Sequence, residues 1–406
     1  TAARVAASPV PLPSAKPLYV VGTKFTDEPK LRRLRWAEAV APPLTLACGE
    51  RHSFCVSRGA WVVWGGLNSD DSPEHPLGDD LLTPEFVLGD WGEEIFARSI
   101  SCTAHHAVAL DNQGAVWSWG TGEAGQLGHA VGRDDECCVR PTRLGLTGVL
   151  RIAAGAHHTL LLTGNGSVYA IGDNRLGQLG VATEGDGRWL PTPIDTLRTR
   201  VTEVSANGDR SVAVDDEGSI FEWGEIEVGP FGSGGPGCQQ YRQPHILAFR
   251  DQLPPKRGGR GVRARRVFTG RSHAFAVMAT GELYAWGHNA FGQLGIGPTV
   301  GRELRPQRVT ALAGKRVRQA SAGGRYSIVL TEAGEVYTMG FEAYVEGDED
   351  EEEGEDSRDG VLGHETLGFE DLNVPTLVMG LVPQNEAYLK TLKLPELKRE
   401  VTKYAD

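Results

Sequence analysis

The sequence predicts an all-β fold, a seven-bladed β-propeller with about four antiparallel strands in each blade. Two observations lead to this prediction. A strand–turn–strand pattern occurs six times, most clearly as GAHHTLLLTGNGSVYAIGDNRLGQLG at 155–180 and as GRSHAFAVMATGELYAWGHNAFGQLG at 270–295. The copies follow one another at intervals of 52 to 63 residues, and a long, regular period of this kind is typical of repeat architectures such as propellers.

Each copy contains two glycines six residues apart, which frame the second strand of a β-hairpin. The first is a turn glycine, because tight hairpin turns require the positive φ that glycine adopts without a clash. The turn glycines are Gly59, Gly114, Gly166, Gly218, Gly281 and Gly334. The closing glycines are Gly65, Gly120, Gly172, Gly224, Gly287 and Gly340. Between them, as in ELYAW, the third and fifth residues are mostly aromatic and the fourth is mostly small, so a period of two predicts one bulky and one small face.

The remaining strands of each blade flank this hairpin. Apolar runs precede each turn, and segments such as PTRL, PTPI and PQRV follow each exit; proline is tolerated there because an outer strand needs no ladder donor. LYVVG, ending at Gly22, supplies a seventh copy. We therefore expect a leader or disordered extension at 1–17, the propeller at 18–382, and a tail at 383–406 that closes the ring or binds a partner. Closure would pair strands from the two termini in one blade.

The combination of turn glycine, closing Trp-Gly and GQLG exit resembles the regulator-of-chromosome-condensation repeat family. Kelch and WD repeats have comparable periods, but their signatures do not include GQLG. The resemblance covers roughly residues 18–382 and implies a seven-bladed propeller; it implies much less about activity, because one fold hosts many functions. It also implies that the histidines repeated at one position are structural and bond to the backbone. These are His52, His106, His158 and His273.

The sequence predicts no catalytic, cofactor-binding or metal site, and therefore no enzyme. A catalytic group need occur only once, whereas these histidines recur from copy to copy. Adjacent residues such as His157 and His158 point to opposite sides of a strand and cannot share a metal. The six cysteines have no CxxC spacing, which favours a reducing intracellular compartment. No phosphate-binding glycine loop is present, and no apolar run approaches the roughly 18 residues needed for membrane insertion.

Charge is concentrated in two segments. KRGGRGVRARR at 256–266 is the most basic one, and we expect its side chains to contact a partner or the phosphates of RNA. The predicted contacts are Lys256, Arg257, Arg260, Arg263, Arg265 and Arg266. EGDEDEEEGED at 346–356 supplies nine negative charges, against a formal net charge of −12 for the whole chain. That acidic run is either a solvated loop or a segment that mimics nucleic acid or docks a basic partner.

These features predict a non-enzymatic scaffold that holds proteins, and RNA through its basic loop, within a larger assembly such as a mitochondrial ribosome. No acidic residue precedes Asp27, which is compatible with the end of a transit peptide and favours the mitochondrial matrix over the cytosol or nucleus. The alternative, which the family resemblance implies, is guanine-nucleotide exchange on a small GTPase. Chromatin binding fits a nearly neutral body less well, and a photoreceptor would need tryptophans less scattered outside the repeated strand positions.

Overall fold

The computed structural model describes residues 19–20, 32–33, 45–48, 52–57, 60–65, 81–86, 97–103, 105–129, 137–181, 185–227, 239–249, 263–297, 301–341 and 372–378. These residues form an all-β protein with 26 strands, and a short 3-10 helix spans Thr310–Leu312. Six sheets of four antiparallel strands each follow one another along this described part of the chain. The predicted fold class is therefore confirmed.

The first three sheets cover residues 45–193. The first sheet contains β3 (Thr45–Cys48), β4 (His52–Ser57), β5 (Ala60–Gly65) and β6 (Leu81–Phe86). The second sheet contains β7 (Ala97–Cys102), β8 (His106–Asp111), β9 (Val116–Thr121) and β10 (Cys137–Arg143). The third sheet contains β11 (Val149–Ala154), β12 (His158–Thr163), β13 (Val168–Asp173) and β14 (Gly187–Pro193).

The last three sheets cover residues 201–377. The fourth sheet contains β15 (Val201–Asn207), β16 (Arg210–Asp215), β17 (Ile220–Glu227) and β18 (Gln239–Ile246). The fifth sheet contains β19 (Ala264–Thr269), β20 (His273–Met278), β21 (Leu283–His288) and β22 (Arg302–Arg308). The sixth sheet contains β23 (Val317–Ala322), β24 (Tyr326–Thr331), β25 (Val336–Gly340) and β26 (Leu372–Leu377).

The first strands of successive sheets lie side by side, from β3 beside β7 to β19 beside β23. This is the arrangement of the innermost strands of a propeller, with the fourth strand of each sheet on the outside. A short pair, β1 (Tyr19–Val20) with β2 (Arg32–Arg33), belongs to the predicted seventh copy. The segments 1–17 and 383–406 and the closure of the ring lie outside the described residues, so the predicted domain boundaries stay predictions.

The core lies between neighbouring sheets, as the alternation within the repeats predicts. Trp223, the fifth residue of its copy, packs toward the third sheet against Leu160 and Ala170. Ala285, a fourth residue, faces the sixth sheet instead, in a cluster with Val329 and Met339. The bulky face of one hairpin therefore packs on the small face of the preceding one, which allows the sheets to approach closely.

Gly172 shows why each copy closes on glycine. Its φ is +110°, a conformation that other residues rarely adopt. A Cβ at this position would lie 2.3 Å from the carbonyl oxygen of His157, well inside van der Waals contact. The pairing of β13 with β14 also shifts register between Ala170 and Gly172, as expected at a β-bulge. The closing glycine is therefore required both by the backbone angle and by the close approach of the preceding turn.

Candidate partner-binding site

The repeated histidines link neighbouring sheets through side-chain hydroxyl groups. The ring of His158 is completely buried, and its Nε2 lies 2.8 Å from Oγ of Ser211 in the following sheet. Two further pairs repeat this contact, at 2.9 Å for His106 with Thr159 and 2.7 Å for His273 with Ser327. The expectation that these rings bond to the backbone is wrong, because a hydroxyl group stands between ring and backbone.

The hydroxyl group in turn donates a hydrogen bond to the backbone of the GQLG exit. Ser211 Oγ donates to the carbonyl oxygen of Gln178 at 2.8 Å, and Ser327 Oγ donates in the same way to Gln293. The Ser211 hydroxyl donates its proton to the carbonyl, so the hydroxyl oxygen must accept the hydrogen bond from His158. The neutral His158 ring therefore carries its proton on Nε2. Burial lowers the pKa of His158 from 6.5 to about 3. These histidines therefore serve packing between sheets and do not face solvent.

Replacement of Ser211 by Ala is expected to reduce the free energy of unfolding by about 1–2 kcal/mol. The variant leaves His158 Nε2 and the Gln178 carbonyl short of a partner in a buried position, although Trp223 Nε1 still donates to that carbonyl at 2.9 Å. Urea unfolding of the full chain measures the change. Ser167→Ala is the matched control, because Ser167 is exposed and should be neutral; an equal effect of both substitutions would contradict the role of the relay.

The fourth sheet replaces this relay with a buried ion pair. Arg210 occupies the histidine position and is completely buried; its Nε donates to Oε1 of Glu222 at 2.5 Å. Glu222 stands where other copies have a small residue, and the same Oε1 accepts a hydrogen bond from Trp286 Nε1 at 3.0 Å. Oε2 of Glu222 and Nη1 of Arg210 have no hydrogen-bond partner among the described residues.

Three of the six predicted partner-binding residues lie in the described part of the chain. Arg263 immediately precedes β19, and Arg265 and Arg266 lie within it. Lys256, Arg257 and Arg260 lie outside the described residues, as does the acidic run 346–356. The structure therefore places Arg263, Arg265 and Arg266 at the start of the innermost strand of the fifth sheet.

Arg263 also contributes to the packing between sheets. Its Nε donates to the backbone carbonyl of Glu217, in the hairpin turn of the preceding sheet, at 2.9 Å. Arg316 makes the equivalent contact to Thr280 at 3.1 Å, one sheet further along. An arginine just before the first strand is thus a repeated clamp over the neighbouring turn, so Arg263 contributes to packing as well as to charge.

Arg265 and Arg266 differ in how firmly they are held. Arg266 is half-buried; it donates to the carbonyl oxygen of Arg318 at 3.1 Å, and its guanidinium lies 4.9 Å from the centre of the Phe268 ring. Burial is the main cause that lowers the pKa of Arg266, and the positive charges of Arg151, Arg265 and Arg318 lower it further. Arg265 is exposed and makes no hydrogen bond or ion pair with the described residues.

These side chains line two adjoining cavities at the end of the innermost strands, of about 570 and 410 Å³, which share Arg265 and Arg266. We call this concave surface the arginine cleft. Its arginines are Arg151, Arg263, Arg265, Arg266, Arg316 and Arg318, and its carboxylates are Glu203, Asp215, Asp216 and Glu332. Glu203 pairs with Arg151 at 3.0 Å, and burial raises the pKa of Glu203.

Sequence reasoning missed half of the cleft. Arg151, Arg316 and Arg318 lie in other copies, far from the basic segment in the chain. A signal was present, because Arg265 and Arg318 occupy the same position in successive copies, each the second residue of the first strand. Alignment of the copies on their first strands, instead of on the hairpins, would have grouped them.

No group of three or more His, Cys, Asp or Glu residues in the described part of the chain is arranged to hold a metal ion. Within the described ranges, no helix has the length and apolar character needed to span a membrane.

Comparisons with known sequences identify the repeat. The profile described as Regulator of chromosome condensation (RCC1) repeat matches residues 113–162, 165–214 and 280–330. A second profile with the same description matches residues 97–126, 149–178 and 264–293. These matches begin and end within the second to sixth sheets, on the strands and turns described above.

Three relatives span much of the chain. The ultraviolet-B receptor UVR8 of Arabidopsis thaliana is 32% identical over 249 residues, covering 60% of this chain and 53% of that protein. The mitochondrial RCC1 domain-containing protein RUG3 of Arabidopsis thaliana is 30% identical, covering 73% of this chain and 64% of its own length. The RCC2 homolog of Danio rerio is 30% identical, with coverages of 75% and 67%. This chain thus spans about half to two thirds of their lengths.

Two solved structures share the fold. Human WBSCR16 has a TM-score of 0.68 at 23% identity, with 86% of this chain and 84% of that chain covered. Prp20p of Saccharomyces cerevisiae has a TM-score of 0.66 at 18% identity, with 97% and 95% covered. The family resemblance expected from the turn glycine, the closing Trp-Gly and the GQLG exit is confirmed, and the chain belongs to the regulator of chromosome condensation (RCC1) repeat family.

Proposed function

We propose that this protein is a non-enzymatic propeller scaffold that binds other proteins within a larger assembly, such as a mitochondrial ribosome. The observation that carries the proposal is a difference between two groups of polar residues: one group forms hydrogen bonds between sheets, and the other is exposed in the cleft. The repeated histidines, hydroxyls and glutamines form hydrogen bonds between sheets, as in His158–Ser211–Gln178, whereas Arg265 and Arg318 line an open cleft and their guanidinium groups have no partners among the described residues. Binding residues on a rigid scaffold typically lie at such exposed places on its surface.

The mitochondrial location has two supports. The relative RUG3, 30% identical over 305 residues, is mitochondrial by name. The first 26 residues of this chain contain one arginine, two lysines and two serines but no acidic residue, which is compatible with the end of a transit sequence. We accordingly propose the mitochondrial matrix as the compartment in which the assembly is found.

Affinity purification tests the scaffold. The tagged full chain is expressed in its own cells, and the proteins that remain after mild washing are identified and quantified by mass spectrometry. The expected result is a set of proteins from one assembly, recovered in near-equal amounts from the mitochondrial fraction. Recovery of the tagged chain alone, or of a single GTPase as its sole partner, would contradict the scaffold.

Guanine-nucleotide exchange on a small GTPase is the second candidate. It is favoured by the likeness to Prp20p, which covers 97% of this chain and whose binding to Gsp1p has been studied. An assay with fluorescent GDP on a panel of small GTPases decides between the two functions. A scaffold leaves the intrinsic release rate unchanged, whereas an exchange factor would accelerate release from one GTPase by orders of magnitude.

The RNA contact predicted for the basic segment is tested separately by replacing Arg265 and Arg266 with Ala. If the segment binds single-stranded RNA through six phosphates, log K falls with log salt with a slope of roughly −4 in the unmodified chain. The variant is then expected to show a slope that is about 1.4 smaller, because each phosphate that is no longer neutralised reduces the slope by about 0.7. Fluorescence anisotropy over a salt series measures both slopes, and equal slopes would remove Arg265 and Arg266 from the RNA-binding surface.

A further inference from the structure

We infer that the arginine cleft is a docking site for an acidic polypeptide segment of a partner protein, with Arg265 and Arg318 as its main contacts. The inference rests on the proposed scaffold function and names the chemistry of one partner. It goes beyond the basic segment, because half of the arginines in the cleft come from other copies of the repeat.

Most carboxylates in the cleft already have partners, whereas some of its arginines do not. Glu203 is paired with Arg151 at 3.0 Å, and Glu332 is paired with Arg316 at 2.9 Å. Asp215 Oδ1 accepts two backbone N–H bonds from its own turn, at 3.1 and 2.8 Å. Most of the carboxylates are therefore already engaged.

The arginines that remain are exposed and close together. Arg265 and Arg318 carry guanidinium groups that have no hydrogen bond or ion pair with the described residues. Each offers five donors in a planar fork, which matches the two oxygens of a carboxylate. An acidic ligand would relieve the repulsion between like charges that the cleft maintains.

The walls of the cleft are preorganised. The guanidinium of Arg266 is held by the carbonyl oxygen of Arg318 at 3.1 Å and by the Phe268 ring, and that of Arg263 is held by the carbonyl of Glu217. These contacts come from strands and turns of the sheets, so the charges of Arg263 and Arg266 are fixed before a partner arrives, beside the exposed Arg265 and Arg318. Fixed charges lose less conformational freedom on binding than flexible ones.

Two features favour an acidic polypeptide over RNA. Single-stranded RNA is typically bound by aromatic side chains that stack on its bases, but none of the described residues that line the two cavities is aromatic. The nearby Phe268 already has Arg266 over its ring. In addition, Glu203, Asp216 and Glu332 line the same cavities as the arginines, and a continuous phosphate backbone would approach them, whereas a polypeptide can place neutral or basic residues there.

Fluorescence anisotropy with the full chain tests the inference. The probe is a labelled eleven-residue peptide with nine acidic residues in a sequence that does not occur in this chain, and a peptide with Gln and Asn in place of its acids is the uncharged comparison. We expect saturable binding of the acidic peptide only, and a rise of about tenfold in Kd for the double variant Arg265→Ala/Arg318→Ala. The control Arg143→Ala/Arg305→Ala removes the same charge from exposed positions on the outer strands β10 and β22 and should bind as the unmodified chain does.

A variant that is expected to bind more tightly shows whether an affinity change reflects charge, because loss of folding could only weaken binding. Glu332→Gln frees the exposed Arg316, and it should tighten binding of the acidic peptide about threefold. No saturable binding below about 1 mM, equal losses in the two double variants, or tighter binding of a single-stranded RNA of equal charge would overturn the inference. If purification of the unmodified chain and of Arg265→Ala/Arg318→Ala returns the same assembly, only the cleft inference fails. If the unmodified chain returns no assembly, the scaffold itself fails.

Discussion

Replacement of Glu222 by Gln is expected to lower the free energy of unfolding by about 3–5 kcal/mol, because it leaves the charge of Arg210 buried without a counter-ion. Both side chains are almost completely inaccessible to solvent, at 0% for Arg210 and 1% for Glu222. Gln keeps the shape of the side chain and an oxygen that can accept the hydrogen bond from Trp286 Nε1. The loss therefore measures the missing negative charge and not a cavity.

The ion pair compensates for changes elsewhere in the same copy. In the third sheet the Gln178 carbonyl accepts hydrogen bonds from Ser211 and Trp223 of the next sheet. The fourth copy has GPFGSGGPG in place of a GQLG exit, so that its sequence has no counterpart of this glutamine. Glu222 supplies the acceptor for Trp286 instead, and Arg210 neutralises the carboxylate.

A double-mutant cycle tests this coupling. Arg210→Met and Glu222→Gln are each expected to be strongly destabilising, since each leaves one buried charge unpaired. The combination Arg210→Met/Glu222→Gln removes both charges and should recover most of the loss, because buried ion pairs often contribute little compared with neutral side chains of similar volume. Unfolding in guanidinium chloride measures all four proteins. Additive losses would show that the two charges are not coupled.

The repeat hairpins were predictable from sequence because each rests on local rules. The turn glycine and the closing glycine six residues later define β13 between Gly166 and Gly172, and the alternation in SVYAI predicts which side chains face the next sheet. These features depend on backbone angles and on a period of two. They can therefore be predicted from the sequence of a single copy.

Contacts between copies were not predictable in the same way. His158 was expected to be structural, but its partner Ser211 lies 53 residues further along. Arg210 and Glu222 were visible only as two separate departures from the repeat, because the sequence does not show that the two side chains meet. For the same reason, only half of the arginines in the cleft could be predicted. Arg265 belongs to a basic run in the sequence. Arg318 does not, and it lies near Arg265 only because the first strands of the two sheets lie side by side.

Acid is expected to unfold this protein because three buried histidines must remain neutral in the folded state. Burial is the largest cause that lowers the pKa of each of them from 6.5 to about 3. Electrostatic interaction with neighbouring histidines lowers the pKa of His106 further, Arg210 does so for His273, and Asp173 partly opposes the effect for His158. In the unfolded chain the same side chains take up a proton near pH 6.5.

The stability that these histidines contribute is therefore complete above pH 6.5 and is lost as pH falls from 6.5 toward 3, because the unfolded state binds more protons throughout that range. Each histidine lowers the free energy of unfolding by up to about 1.4 kcal/mol per pH unit, so that the three together remove about 6 kcal/mol between pH 7.5 and pH 5. Urea unfolding at intervals between pH 7.5 and pH 5 measures this slope. His158→Gln is the matched variant, since its amide can still donate to Ser211 but does not titrate, and it should reduce the slope by about one third. A free energy of unfolding that stays constant from pH 7 to pH 5, or an identical slope in His158→Gln, would show that the rings are not buried as neutral donors.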